Sequence, residues 1–324
     1  MRAFEHFNAT SLDEAVAILK RYGERARVIA GGTDLLGKMK DEILPIYPEA
    51  LVNIKGIEGL NAVREHNGEL IIGALARLED IAIHPVVKER FAALALAAGR
   101  AASPHLREMG TLGGNVCQDI RCWYYRYPNN RFPCLRKGGG RCYAIEGDNR
   151  FHSIFGGTVA HGCYAVHPSD TAPALIVLDA RVRTTKRTLK IADLFAVNVG
   201  KTTVLDPDEI VIAFQLTSTG RNTASHFIKF ATRKTIDFAI VNCAAALTFE
   251  AQRVSSARIC LNAVAAKPHR AAAAEKNLIG RTLNAATAQT AAESAISGAE
   301  PLRHNGYMVQ LAKIIVKRTL LACD

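Results

Sequence analysis

Five of the chain's eight cysteines fall within residues 117–163, and no other feature constrains the fold of these 324 residues as strongly. Cys117, Cys122, Cys134, Cys142 and Cys163 all lie between Gly113-Gly114-Asn115 and His167-Pro168-Ser169-Asp170, while Cys243, Cys260 and Cys323 are scattered. Thiols this concentrated, among aromatic and basic residues, point to metal or disulfide chemistry more than to packing. The first residues, MRAFEHFNATSLDEAV, contain acids and no apolar core, unlike a signal peptide. No apolar stretch approaches the roughly 20 residues that span a bilayer. A cytoplasmic protein with no membrane segment is therefore expected, in a reducing compartment where stable disulfides are rare. That shifts the cysteines toward metal.

The formal net charge is +11, which raises the question of nucleic acid. Its distribution argues against that partner. Between Ile120 and Cys142 lie Arg121, Arg126, Arg131, Arg136, Lys137 and Arg141, and no acid. Without those six the charge is +11 − 6 = +5, ordinary for this length. The excess belongs partly to the cysteine segment, where thiolates would need compensating cations, or an acidic partner would dock. The run Trp123-Tyr124-Tyr125-Arg126-Tyr127 could stack on bases. Such residues more often cover a loop that lacks its own core, and that is the expectation here.

Along the chain, Ser11-Leu12-Asp13-Glu14 reads as a capping box, with Ser11 as N-cap, Glu14 at N3 and Gly23 closing the helix. Residues 27–30 read as a short strand, followed by a helix from Leu35 and strands at 51–54 and 70–74. Helix signals follow at 78–81 and over 85–102. Residues 174–180 and 204–216 read as mostly extended. A polar stretch, 217–222, marks a domain boundary. Beyond it the pattern predicts three antiparallel strands at 226–233, 239–250 and 257–265. Helices follow near 271–279, 284–295 and 306–322. Strands grouped before helices indicate an α+β arrangement.

Two loops share one grammar: Ala30-Gly31-Gly32-Thr33-Asp34-Leu35-Leu36 and Gly110-Thr111-Leu112-Gly113-Gly114-Asn115. Paired glycines allow positive φ and let backbone N–H groups converge on an anion, with the threonine hydroxyls as further donors. A pyrophosphate could be held between them without any lysine. Neither loop fits G-x-G-x-x-G, and Gly200-Lys201-Thr202 has Phe195 where a Walker A loop needs glycine. Alone, either Gly-Gly pair is more often a tight turn; both together are a stronger signal.

These two loops, the Arg107-Glu108-Met109 lead into the second, Pro168-Ser169-Asp170, Asp208-Glu209-Ile210-Val211, and Phe227-Ile228-Lys229-Phe230 with Arg233 occur in one order. In that order they resemble the FAD-binding medium subunit, or domain, of the molybdenum hydroxylases, the family of xanthine dehydrogenase and carbon monoxide dehydrogenase. The resemblance covers almost the whole chain. It implies an α+β fold, with a two-part FAD-binding domain over 1–220 (an α/β subdomain at 1–54 and a second subdomain at 55–220). A C-terminal domain over 221–324 then has a three-stranded antiparallel sheet with helices. It also implies that Ile29, Ala30, Gly31, Gly32, Thr33, Asp34, Leu35 and Leu36, with Thr111, Leu112, Gly113, Gly114 and Asn115, hold the FAD pyrophosphate. Ala101 would border the flavin region, Asp170 would bind toward the ribityl or ribose hydroxyls, and Val211 and Lys229 would lie near the isoalloxazine. No catalytic residue is implied.

Ordinary members pass from the second glycine loop to the Ser-Pro-x-x-Asp segment in a few residues. Here an insertion at about 118–163 intervenes. Cys122-x11-Cys134-x7-Cys142-x20-Cys163 supplies four thiols around Gly138-Gly139-Gly140. This is not a ferredoxin run, and spacing alone leaves several possibilities open. One is a [4Fe–4S] cluster; another is a structural zinc on four cysteines, or on three with His152 or His161; a third is reduced thiols. Cys117 is a fifth candidate that could replace Cys122. The insertion resembles that of a reductase branch of the family, whose medium subunit holds a [4Fe–4S] cluster in an extra loop. That resemblance implies metal ligands Cys122, Cys134, Cys142 and Cys163. It implies electrons arriving from a ferredoxin and passing through the cluster and FAD to a [2Fe–2S] small subunit and a molybdopterin-binding large subunit. The assembly would be a dimer of heterotrimers, and the large subunit would dehydroxylate an aromatic acyl-CoA. An alternative in the same family is an FAD subunit of an oxidative hydroxylase passing electrons outward to NAD or oxygen, its metal loop structural. A zinc-stabilised basic module for nucleic acid is the rival from a different class.

Overall fold

The computed structural model describes residues 1–157, 162–217, 220 and 222–323; His161 lies outside the described residues. Strands β1 (Glu5–Asn8), β2 (Ala26–Ile29) and β3 (Ala50–Asn53) form a parallel sheet in the order β1-β3-β2. Parallel neighbours need crossovers. Helix Leu12–Tyr22 supplies one and buries Ala15 and Leu19 in the core beside this sheet. Ser11 caps it, accepting from the Glu14 N–H at 3.2 Å. The Glu14 carboxylate reaches back to Thr10, accepting from its N–H and its hydroxyl at 2.8 Å each, so the reciprocal half of the box falls one residue early. The other crossover runs from β2 through the first glycine loop into helix Leu35–Lys40. That loop thus leaves the carboxyl end of a parallel strand, where crevices for ligands open.

The second sheet is antiparallel. Strands β4 (Val63–His66) and β5 (Glu69–Gly73) form a hairpin, and β6 (Arg181–Thr184) and β7 (Thr188–Lys190) another. A small hairpin, β8 (Phe195–Asn198) with β9 (Lys201–Thr203), precedes β10 (Val211–Thr217). β10 pairs with both β5 and β6, giving β4-β5-β10-β6-β7. The single helix expected over 85–102 is two, Pro85–Arg90 and Ala92–Arg100. The chain bends at Phe91 (φ −134°, ψ 48°), whose ring is fully buried. The extended stretch expected at 174–180 is largely the helix Thr171–Val177. All its residues are buried, so it has no polar face and shows no helical period.

The C-terminal sheet takes β11 (Thr223–Phe230), β12 (Val241–Glu250), β13 (Arg253–Asn262) and β14 (His269–Arg270) in sequential antiparallel order. The expected three strands gain a two-residue edge strand, too short to leave a periodic signal. Helices Ala272–Leu278, Ala285–Ala295 and Tyr307–Leu321 share a core with this sheet. The class is α+β, as the sequence predicts. The largest core joins Leu70 and Ile72 of β5, Leu94 and Leu175 to Phe227, Ala244 and Cys260 of the C-terminal sheet. The two halves are therefore packed together.

Candidate functional site

The glycine loops meet. A side chain at Gly31 would strike the Met109 carbonyl, and Gly32 holds φ +71°, so backbone space and backbone shape each require glycine. The second loop differs from the expectation of positive φ. Thr111 caps the short helix Leu112–Val116 by accepting from the Gly114 N–H at 3.1 Å. Gly113 and Gly114 have ordinary helical φ and serve close approach: a Cβ on Gly113 would lie 2.9 Å from the Ala74 carbonyl oxygen.

Two chambers open on either side of these loops and share Thr33, Asp34, Lys38, Thr111, Gly114 and Gln118 as common walls. One, about 240 Å³, is lined by Ile29, Ala30, Gly31, Gly32, Leu35, Gly113 and the apolar Ile54, Leu75, Leu205, Ile210 and Val211. The other, about 350 Å³, is lined by Ala101, Asn115, Asp170 and Lys229 with Arg121, Arg126 and Phe238. Val211 and Lys229, expected together, thus line different chambers. Leu36 and Leu112 line neither: Leu36 packs with Ile29, Met39 and Leu51, and Leu112 is fully buried in the main core.

Polar ties fix the second chamber. Asn115 Oδ1 accepts from the Ser169 and Thr171 hydroxyls at 2.6 and 2.7 Å, joining the second glycine loop to Pro168-Ser169-Asp170. Asp170 pairs with Lys229 at 2.7 Å and accepts from Asn242 Nδ2 at 2.8 Å; Asp170 and Asn242 are buried, and the Lys229 side chain is largely covered. Burial pushes the Asp170 carboxyl up, against the pull of Lys229 and Asn242. Lys229 also donates to the Arg100 carbonyl at 3.1 Å.

A second network joins the first glycine loop to the insertion. Asp34 accepts from the Asp119 N–H at 3.0 Å and pairs with Arg126 at 2.7 Å. Lys38 lies 3.2 Å from Asp119, whose carboxylate also accepts from the Tyr125 hydroxyl at 2.6 Å. Burial alone would raise both aspartates, but Lys38 and Arg126 outweigh it and hold both below the usual carboxylate range. Lys38 is legible as the i+4 partner of Asp34. Arg126 and Asp119 carry no local signal that they reach the loop.

The insertion closes at its neck, where Arg121 and Val166 exchange backbone hydrogen bonds of 2.8 and 3.0 Å. Within it Cys122, Cys134, Cys142 and Cys163 line one narrow cavity with Ile120, Tyr124, Tyr125, Leu135, Arg136, Tyr143 and Ala165. Cys117 is not among them; it lines the apolar chamber, and burial pushes its thiol up to about 12. Burial also raises the thiols of Cys122 and Cys134, and that of Cys163 to about 11. Opposing this, the backbone N–H groups of Tyr124 and Tyr125 turn to Cys122, those of Arg136 and Lys137 to Cys134, and that of Ala165 to Cys163. His152 Nε2 lies 3.2 Å from Cys122 Sγ, and burial lowers its ring to about 4. Among the described residues no three His, Cys, Asp or Glu side chains converge on a single metal ion. The aromatic run packs on its own loop: Tyr124 on Phe132 and Tyr143, Tyr127 on Phe132, Trp123 on Phe151.

Comparison with known proteins places this geometry. The family model described as the FAD binding domain in molybdopterin dehydrogenase matches residues 2–217, and that of the CO dehydrogenase flavoprotein C-terminal domain matches 226–323. The chain is 35% identical to the aldehyde oxidoreductase FAD-binding subunit of Escherichia coli (strain K12), over 97% of this chain and 96% of that protein. It is 28% identical to the carbon monoxide dehydrogenase medium chain of Hydrogenophaga pseudoflava, over 98% and 96%. A solved structure of carbon monoxide dehydrogenase from that organism, lacking the Mo-pyranopterin moiety of its cofactor, superposes with a TM-score of 0.79 at 26% identity, covering 99% of this chain and 97% of that one.

Proposed function

The chain belongs to the FAD-binding subunits of the molybdopterin dehydrogenases, of the CO dehydrogenase flavoprotein type, and from that premise we propose an electron-transfer subunit that holds FAD in the two-chamber cleft and a [4Fe–4S] cluster among its four gathered thiols. A long molecule with a ring system at each end suits two chambers joined at a neck. The pyrophosphate is assigned to that neck, between residues 29–36 and 111–115. The adenine is assigned to the apolar chamber with Val211, and the isoalloxazine to the chamber with Ala101, Asp170 and Lys229. When bound, FAD supplies a centre that exchanges one or two electrons, where iron–sulfur groups move one. Asp170, held by Lys229 and Asn242, orients the polyol hydroxyls.

One observation carries the second cofactor: Cys122, Cys134, Cys142 and Cys163 surround one cavity, and Cys117 does not. Three of the four thiols face backbone N–H donors, which suits an anionic iron–sulfur group. The partners are a [2Fe–2S] small subunit and a molybdopterin-binding large subunit, arranged as a dimer of heterotrimers; the substrate reacts on the large subunit.

Two readings of the whole reaction follow. The 35% likeness to an aldehyde oxidoreductase subunit favours an oxidative complex, in which aldehyde and water give carboxylic acid, two protons and two electrons that leave for an external acceptor. The insertion's resemblance favours the FAD-binding medium subunit of 4-hydroxybenzoyl-CoA reductase. There ferredoxin supplies two electrons which, with two protons, turn 4-hydroxybenzoyl-CoA into benzoyl-CoA and water. We favour the oxidative reading. The purified three-subunit complex should reduce ferricyanide when given benzaldehyde. Turnover of 4-hydroxybenzoyl-CoA with reduced ferredoxin, and none with aldehydes, would replace it with the reductive one.

A further inference from the structure

Among the described residues Arg136 has the largest fully buried side chain, only 2% exposed, and it lines the cavity of the four cysteines. Its Nε and Nη1 have no hydrogen-bond partner among the described residues. A guanidinium stays charged at any physiological pH, and an unpaired charge is not kept in a low-dielectric interior without compensation. The nearby carboxylate, Asp119, is already engaged by Lys38 and Tyr125. Lys137 Nζ is likewise buried without a hydrogen-bond partner, over the Tyr125 ring at 5.2 Å. On the other side, His152 is 1% exposed; its Nε2 meets Cys122 Sγ at 3.2 Å and its Nδ1 has no partner among the described residues. Arg136 thus faces the cavity of the four thiols from one side, and His152 meets one of those thiols from the other.

We propose that Arg136 and His152 are the side-chain donors to the cluster, His152 through an N–H bond to the Cys122 thiolate and Arg136 through its charge against the sulfur core, and that together they raise its reduction potential. This rests on the [4Fe–4S] reading above. Adding an electron makes the cluster more negative. A fixed cation and a fixed N–H dipole in a dry site therefore stabilise the reduced form more than the oxidised one. Both are positioning residues, since neither ligates metal. The Arg136 carbonyl also accepts from the Gly200 N–H at 3.0 Å, a backbone contact that substitution of the side chain leaves in place.

The test is the midpoint potential of the cluster, followed by EPR during stepwise chemical reduction of the anaerobically purified complex. Arg136→Met should shift the balance of oxidised over reduced cluster at least tenfold toward the oxidised form, a fall of about 59 mV for one electron. Arg136→Lys should keep most of the parent potential. His152→Phe should lower the potential in the same direction by at least threefold in that ratio, and the double variant should fall further than either. If Arg136→Met holds no iron, His152→Phe and Arg136→Lys decide. A parent-like potential in His152→Phe, or in Arg136→Met with its cluster intact, overturns the proposal. A parent protein with no [4Fe–4S] signal overturns the cluster reading itself, which separates the two failures.

Discussion

Gly31 and Gly32 do different work in one loop. Gly32 needs positive φ, which is disfavoured by about 1–2 kcal/mol for a residue with a Cβ. Gly31 needs the space taken by the Met109 carbonyl. Gly32→Val is therefore expected to yield folded protein that has lost its FAD, and Gly31→Val protein in which the two loops have parted. Retention of stoichiometric FAD by folded Gly32→Val, read from the flavin absorbance, contradicts the assignment of the neck. The doublets were legible in the sequence, but the division of labour was not, because it depends on a carbonyl from another loop. The Asp34 pair is testable by pH. Its folded pKa lies below the unfolded value of about 3.9, so its contribution is present above that value and lost as pH falls through the lower one. Asp34→Asn should lose roughly 1–3 kcal/mol at pH 7, as for hydrogen bonds to charged groups. The gap to the parent in urea midpoints should narrow as the solution is acidified below pH 4. A constant gap would mean that charge is not what Asp34 contributes.

At the scale of elements, the insertion is sewn to both neighbours. Arg126 reaches Asp34 of the first glycine loop. At the other side Asn305 Nδ2 donates to the His152 and Ser153 carbonyls, the Ile154 N–H to the Val264 carbonyl, and the Tyr307 hydroxyl to the Arg150 carbonyl. Cutting out the whole segment at its neck would remove these ties along with the thiols, leaving Asp34 and Asp119 with Lys38 as their one cation of the network. Point changes separate the roles better. Cys134→Ser with Cys163→Ser should abolish bound iron while FAD stays within a few per cent of the parent. Parallel loss of both would show the cage to be part of the flavin site. Cys122, Cys134, Cys142 and Cys163, the set that the resemblance implies as ligands, line one cavity. The integration of the insertion was not legible, since Asn305 and Arg126 look like ordinary surface residues in sequence. Helix Thr171–Val177 reads as extended in sequence for the opposite reason: burial all round leaves it no helical period.

The molecule as a whole packs its antiparallel five-stranded sheet and its C-terminal sheet on one shared core, while the parallel three-stranded unit keeps a core of its own. The cleft lies where the parallel unit and the five-stranded sheet meet, and Lys229 of β11 reaches into it from the C-terminal sheet. Among the described residues no helix is long and apolar enough to cross a membrane. Co-purification with two unlike subunits is expected, and a fully active enzyme made of this chain alone would contradict that. The decisive measurement is iron, acid-labile sulfide, zinc and FAD per chain, on anaerobically purified protein separated from its partners. About four irons, four sulfides and one FAD, with no zinc, is the predicted result. One zinc in place of iron, or an absence of flavin, would contradict it.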